Sequence, residues 1–157
     1  MKVVSNTSPL IFLNHVDSLD ILFSCFKQVL IPQAVAIEFG NSQLPIQLEV
    51  QKISKEGQTL VDLQQGALHL GELEAIQLAR EANADLVLLD DLLARKKAKT
   101  RDVNVMGTLG VFLFASRSGH ISPELAAQKI DILVNEYDMY IAPKLLLNIK
   151  QELKALE

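Results

Sequence analysis

The stretch LVLLDD, residues 86–91, indicates the fold class of this chain. Its first four residues are aliphatic without alternating polar residues, which is typical of a strand buried on both faces of a parallel sheet. Two acidic residues, Asp90 and Asp91, follow directly. Because parallel α/β sheets bind ligands at the carboxyl ends of their strands, acids in this position predict a functional crevice.

The segments on either side of this stretch alternate between strand and helix patterns. Further strands are predicted at residues 2–4, 28–31 and 104–105. The predicted helices cover residues 10–13 and 19–26 (broken near 14–15), 32–39, 71–82, 91–100, 107–117, 123–135 and 143–156. This alternation predicts a three-layer α/β/α sandwich around a central, mainly parallel sheet. We expect one domain over residues 1–157, which includes the C-terminal helices at about 123–156.

The segment from residue 41 to about residue 65 has the weakest pattern. Pro45 and Gly57 interrupt it, and its apolar residues alternate irregularly. Loops are therefore predicted here, with short strands around residues 48–53 and 59–63.

The composition describes a globular chain that is not generally basic. Its 157 residues are 49% hydrophobic and the formal net charge is -4, so a nucleic-acid partner would require a local basic patch. A lone cysteine, Cys25, forms no internal disulfide and suits a reducing compartment. No apolar run reaches the roughly 18 residues of a membrane span, and the N-terminus does not resemble a signal peptide. We expect a soluble cytoplasmic protein.

Polar side chains follow or face the ends of several predicted strands. Asn6 follows the first strand, Glu38 lies on the helix after the second, and Glu72 begins a later helix. The carboxylates of Glu38, Glu72 and Asp90 would repel one another unless a cation lay between them, and oxygen ligands suit a hard divalent ion. Other roles remain open, since Glu72 would also complement a helix dipole, Glu38 would also suit a solvated surface and Asp91 would also cap a helix.

Basic residues are concentrated in the helix after the acidic pair. Five of the fifteen basic residues lie within seven positions, namely Arg95, Lys96, Lys97, Lys99 and Arg101. A helix that starts beside a metal site and carries these side chains would steer a phosphate backbone toward it. The alternative is an ordinary solvated face. With no Trp and two Tyr in the chain, base stacking is not expected to dominate recognition.

Five segments of the chain together resemble the PIN-domain nucleases, and in particular the VapC-like branch of prokaryotic toxin-type proteins. They are VVSNTSPLI at 3–11, VAIE at 35–38, GELEAI at 71–76, LLDD at 88–91 and VMGTLGV at 105–111. The resemblance runs from Lys2 to about Ile121. It implies a compact α/β/α nuclease fold, dependence on Mg²⁺ or Mn²⁺, cleavage of RNA, a homodimer and an antitoxin protein as partner.

The acidic positions of that family fall on Asn6, Glu38, Glu72 and Asp90, with Asp91 as an accessory. The resemblance implies that Glu72 and Asp90 are metal ligands and that Glu38 is a further ligand or orients the attacking water. Asn6 stands where the family has aspartate, and its amide oxygen brings no negative charge. Two hypotheses follow: a metal-dependent endoribonuclease of a toxin–antitoxin pair, or a weakened or inactive member that binds RNA or an antitoxin.

A receiver-like signalling domain is the other α/β fold with clustered acids. It requires an acidic pair after the first strand, where this chain has Ser5 and Asn6. The three histidines show neither metal-ligand spacing nor a paired nucleophile, so a zinc site or a catalytic triad is not predicted.

Overall fold

The computed structural model describes every residue from Met1 to Glu157 and contains one five-stranded sheet. All strand pairs are parallel and the strand order is β3-β2-β1-β4-β5. The strands are β1 Lys2–Ser5, β2 Gln28–Ile31, β3 Leu48–Val50, β4 Leu86–Leu88 and β5 Val105–Met106. The helices are α1 Thr7–His15, α2 Leu19–Cys25, α3 Gln33–Phe39, α4 Lys55–Leu63, α5 Leu70–Glu81, α6 Leu92–Thr100, α7 Thr108–Arg117, α8 Pro123–Glu136 and α9 Pro143–Ala155.

Helices cover both faces of the sheet, so the predicted three-layer α/β/α sandwich is confirmed. Val3 belongs to the larger apolar core, which includes residues of α1, α2 and α7 to α9, whereas Val4 belongs to the smaller core beneath α5 and α6. Because neighbouring strand residues face opposite sides, a short apolar strand such as β1 can supply both cores.

Strand β1 lies at the centre of the sheet, between β2 and β4. The chain adds β2 and β3 on one side of β1 and later returns to add β4 and β5 on the other side. The direction in which the chain adds strands to the sheet therefore reverses between β1 and β4. Open α/β sheets bind ligands in the crevice at such a reversal point.

One secondary-structure prediction is wrong. The predicted strand at residues 59–63 is the second half of α4, while the strand predicted near residues 48–53 is the shorter β3. Ser54 is the N-cap of α4, and its hydroxyl accepts a hydrogen bond from the N–H of Gly57. The carboxylate of Glu81, 27 residues further along the chain, accepts two hydrogen bonds from Ser54. The donors are the Ser54 backbone N–H (2.7 Å) and the Ser54 hydroxyl (2.9 Å). This long-range anchor is not visible in the local pattern. None of the nine helices is long and apolar enough to cross a membrane.

Candidate active site

The two strands beside the reversal point end in polar residues of the predicted site. Asn6 follows β1 and Asp90 follows β4, with Leu89 between the strand and the acid. The strands pair in register, and the backbone N–H of Asn6 donates to the carbonyl of Leu88 at 3.1 Å. This pairing fixes the exits of β1 and β4 side by side.

Gly71 lies beside both Asn6 and Glu38. A methyl carbon built on Gly71 would lie 3.2 Å from Oδ1 of Asn6 and 3.7 Å from Oε2 of Glu38. Helix α3 carries Glu38, and it packs against α5, where Gly71 is the second residue. The absent side chain therefore leaves space for an amide oxygen and a carboxylate oxygen on the same side of α5.

Glu72 is the next residue of α5 and has a structural role as well. Its Oε2 accepts a hydrogen bond from the N–H of His69 at 3.0 Å, which forms half of a capping box at the start of the helix. Burial raises the pKa of Glu72, and the charges of Asp91 and Glu38 raise it further, against the His69 hydrogen bond. Asp91 and Glu38 thus lie close enough to Glu72 for electrostatic repulsion.

Asp90 is directed toward the start of α7. Its Oδ1 accepts the N–H of Thr108 at 2.8 Å and its Oδ2 accepts the Thr108 hydroxyl at 2.7 Å. Burial raises the pKa of Asp90, while the two bonds from Thr108 and the positive charge of Arg95 act in the opposite direction. Asp90 therefore has defined partners on the protein, whereas Glu38 makes no side-chain hydrogen bond.

Asp91 is the N-cap of α6. Its Oδ2 accepts the N–H of Ala94 at 2.9 Å, the geometry of an ordinary helix cap. The side chain is nevertheless exposed and near enough to Glu72 to raise its pKa. Asp91 can therefore cap α6 and at the same time add to the negative charge of the crevice.

The donor atoms suit a divalent cation by chemical type, because all of them are carboxylate or amide oxygens. No three His, Cys, Asp or Glu side chains lie close enough together to form a metal cluster by themselves. Mg²⁺ does not require such a cluster, since it is commonly bound through one or two carboxylates and keeps several waters. Glu38, Glu72 and the Asn6 amide oxygen fit that pattern.

The basic residues of α6 do not form one uniform surface. The Arg95 guanidinium approaches Gly107 beside Asp90, and Lys99 is exposed. Lys96 and Lys97 line a groove of about 320 Å³ between α6 and the start of α5, with Leu68, Leu73 and Leu93 among its apolar walls. The groove therefore combines an aliphatic floor with a cationic rim.

Two further cations extend this rim. Arg80 and Arg101 line an adjoining depression together with Lys97, and no acidic residue lines either part. The two ion pairs of the chain, Arg117–Glu152 and Lys150–Asp131, lie elsewhere. The cations of the groove are thus free to meet an anionic ligand. Arg80 is not among the predicted RNA-binding residues, because it lies on a different helix and only folding brings it near Lys97.

Thr108 is a second site residue that the sequence does not reveal. It lies in the VMGTLGV segment and at the start of the helix predicted at residues 107–117, which matches α7, but neither signal connects it to Asp90. The hydrogen bonds to Asp90 span 18 positions, and no sequence spacing signals them.

The parallel sheet and its two helical layers define a three-layer α/β/α domain with an oxygen-lined crevice at the reversal point. A family model described as a PIN domain matches residues 2–155, so the chain belongs to the PIN-domain family. PIN domains are nuclease-type domains that generally use divalent metal ions. Comparison with curated proteins and comparison with solved structures each give no match.

Proposed function

We propose that this chain is a ribonuclease of the VapC-like toxin branch that hydrolyses phosphodiester bonds with Mg²⁺ or Mn²⁺. One observation carries the proposal. The Asn6 amide oxygen and the Glu38 carboxylate both lie against Gly71, next to Glu72, at the point where the strand order reverses. Oxygen ligands drawn from separate elements at that edge are what a divalent-cation site requires.

A divalent cation supplies two things when bound: charge for the phosphate oxygens and a lowered pKa for a coordinated water. Glu38 and Glu72 would hold the cation, and Glu38, which is exposed, would also be available to orient a water. Asp90 would be a further carboxylate ligand, and each of its oxygens accepts a hydrogen bond from Thr108. Asn6 contributes a neutral oxygen, so it lowers the total negative charge relative to an aspartate.

RNA is the proposed substrate, and Arg95, Lys96, Lys97 and Lys99 are its proposed contacts. Lys96 and Lys97 line a groove whose walls include Leu73 and Leu93, which lie in the chain one residue after Glu72 and two residues after Asp91. Phosphate contacts of this kind are sequence-independent. The groove walls contain no aromatic residue, which supports backbone binding over base stacking.

A protein partner belongs to the same proposal, with an antitoxin and a second copy of the chain as the two partners that the VapC-like branch implies. Large apolar side chains next to the acidic positions support it, since Ile37, Leu70 and Leu92 are exposed by 63%, 41% and 65%. Exposed apolar surface of this kind commonly marks a protein contact.

We also propose a cytoplasmic location and a single domain, in which α8 and α9 share the larger core with α7.

The second candidate function is binding of RNA or an antitoxin without cleavage. Two observations favour it: Asn6 is neutral in a position beside Glu38, and no three acidic side chains form a metal cluster. A fold that keeps its groove and its apolar surface would retain these partners after losing hydrolysis.

Cleavage of labelled RNA by three chains separates the two functions. We expect the present chain to cleave with Mg²⁺ or Mn²⁺, Asn6→Asp to cleave at least as fast, and Asp90→Asn to be inactive. Asp20→Asn, an exposed change on α2, controls for the loss of one carboxylate.

Each outcome of this assay has a definite meaning. Cleavage by Asn6→Asp alone would establish the non-cleaving binder as the function of the present chain. Cleavage that survives a chelator and is unchanged in Asp90→Asn would refute the nuclease proposal. If the present chain and the Asn6→Asp variant both bind RNA and neither cleaves it, only the binding function remains.

A further inference from the structure

Thr108 holds both oxygens of a single carboxylate. Its N–H donates to Asp90 Oδ1 and its hydroxyl donates to Asp90 Oδ2, at 2.8 Å and 2.7 Å. Thr108 is fully buried and is the first residue of α7, so its backbone N–H has no partner within the helix. The carboxylate at the end of one strand thus completes the start of the helix that follows the neighbouring strand.

Gly107 leaves the space that this contact needs. A methyl carbon on Gly107 would lie 2.9 Å from Nη1 of Arg95 and 3.1 Å from Oδ1 of Asp90. A side chain at this position would therefore displace Arg95, Asp90 or both. Glycine allows the carboxylate to lie against the start of α7 with a guanidinium on its other side.

We propose that Thr108 is a positioning residue that fixes the direction of the Asp90 carboxylate for the metal site. The inference rests on the proposed function, in which Asp90 is a metal ligand. An ionised carboxylate offers about four acceptor positions. Thr108 occupies one on each oxygen and the Arg95 guanidinium lies on the Oδ1 side, so Oδ2 keeps the position for a cation. Groups that orient metal ligands in this manner typically contribute about 10–100-fold to metal affinity.

A purely structural role for Thr108 makes a different prediction. If the contact only caps α7, its loss lowers thermal stability and leaves the affinity for a cation unchanged. If the contact positions Asp90, its loss weakens cation binding even in a folded protein, and a residue that restores the hydroxyl restores the affinity.

The test is a calorimetric titration of the full chain with Mn²⁺. Thr108→Val keeps the shape of the side chain and removes the hydroxyl, and we expect it to bind Mn²⁺ about 10–100-fold more weakly. Thr108→Ser keeps the hydroxyl and should retain the wild-type affinity. Ser116→Ala is the matched control, because the Ser116 hydroxyl is buried on the same helix and has no hydrogen-bond partner.

A second readout needs no metal. The amide proton resonance of Thr108 should lie downfield in the wild-type chain, because it donates to a charged acceptor, and should move upfield in Asp90→Asn. Wild-type Mn²⁺ affinity in a folded Thr108→Val, or an unmoved resonance in Asp90→Asn, would overturn the positioning role. Absence of Mn²⁺ binding by the wild-type chain, with the resonance shift present, would instead refute the proposed metal-dependent function.

Discussion

Gly71→Ala should stabilise the fold and weaken the proposed metal site at the same time. Gly71 is the second residue of α5, and replacing a helical glycine by alanine is favourable by roughly 0.5–1 kcal/mol. For a chain of this size that corresponds to a rise in Tm of roughly 1–4 °C. The neighbour that must move is the Asn6 side chain, which makes no hydrogen bond and can therefore shift at low cost.

The effect on the site follows from the distances. The new methyl carbon would lie 3.2 Å from Asn6 Oδ1, closer than ordinary contact, so this oxygen must move by a few tenths of an ångström. Mg²⁺ requires bond lengths of about 2.0–2.1 Å in a nearly ideal octahedron, and shifts of that size are costly. We expect Mn²⁺ or Mg²⁺ affinity to fall about tenfold, which corresponds to about 1.4 kcal/mol.

The assay pairs thermal unfolding in the presence of chelator with a calorimetric Mn²⁺ titration. Gly66→Ala is the control, since a methyl carbon there would meet no atom within 4 Å. The reasoning would be refuted by a Gly71→Ala chain that is folded and binds Mn²⁺ as tightly as the wild type, because Asn6 and Glu38 would then not share a site against Gly71.

Two further predictions concern pH and salt. Burial raises the pKa of the carboxyls of Glu72, Glu74 and Asp90. The folded chain therefore binds protons at these three groups more tightly than the unfolded chain does. The free energy of unfolding, measured by urea denaturation with chelator, should therefore increase as the pH falls from about 7.5 to about 5, and a decrease would contradict the raised pKa values. For RNA, Lys96→Gln with Lys97→Gln should reduce the slope of log affinity against log salt by about 0.7 for each phosphate that the protein no longer neutralises. Lys144→Gln with Lys154→Gln, on α9, should leave that slope unchanged, and an equal reduction in both variants would disprove the groove as the RNA-binding surface.

Several elements of the fold could be predicted from the sequence because their signals are local. The apolar run before Asp90 predicts β4, and the proline at the start of α8 and of α9 marks where each helix begins. The predicted end of α6 at residue 100 is confirmed, and Asp91 caps this helix, which is one of the roles that the sequence leaves open for it.

The segment at residues 59–63 shows where local signals fail. Its apolar residues suggest a strand, but Glu81 on α5 fixes Ser54 at the start of α4 and the chain continues as a helix. The hydrogen bonds join residues 27 positions apart, and no pattern within the segment contains them.

The sequence by itself determined the kind of layers, the strand-ending polar residues and the family resemblance, because short-range periodicity and residue type carry that information. Only the tertiary structure decided that β4 adds next to β1, so that Asn6 and Asp90 leave adjacent strands. It alone also brought Glu38 to Gly71 and turned Asp90 toward Thr108. The physical reason is that strand order and side-chain direction result from burying both faces of the sheet at once, which depends on contacts between segments far apart in the chain.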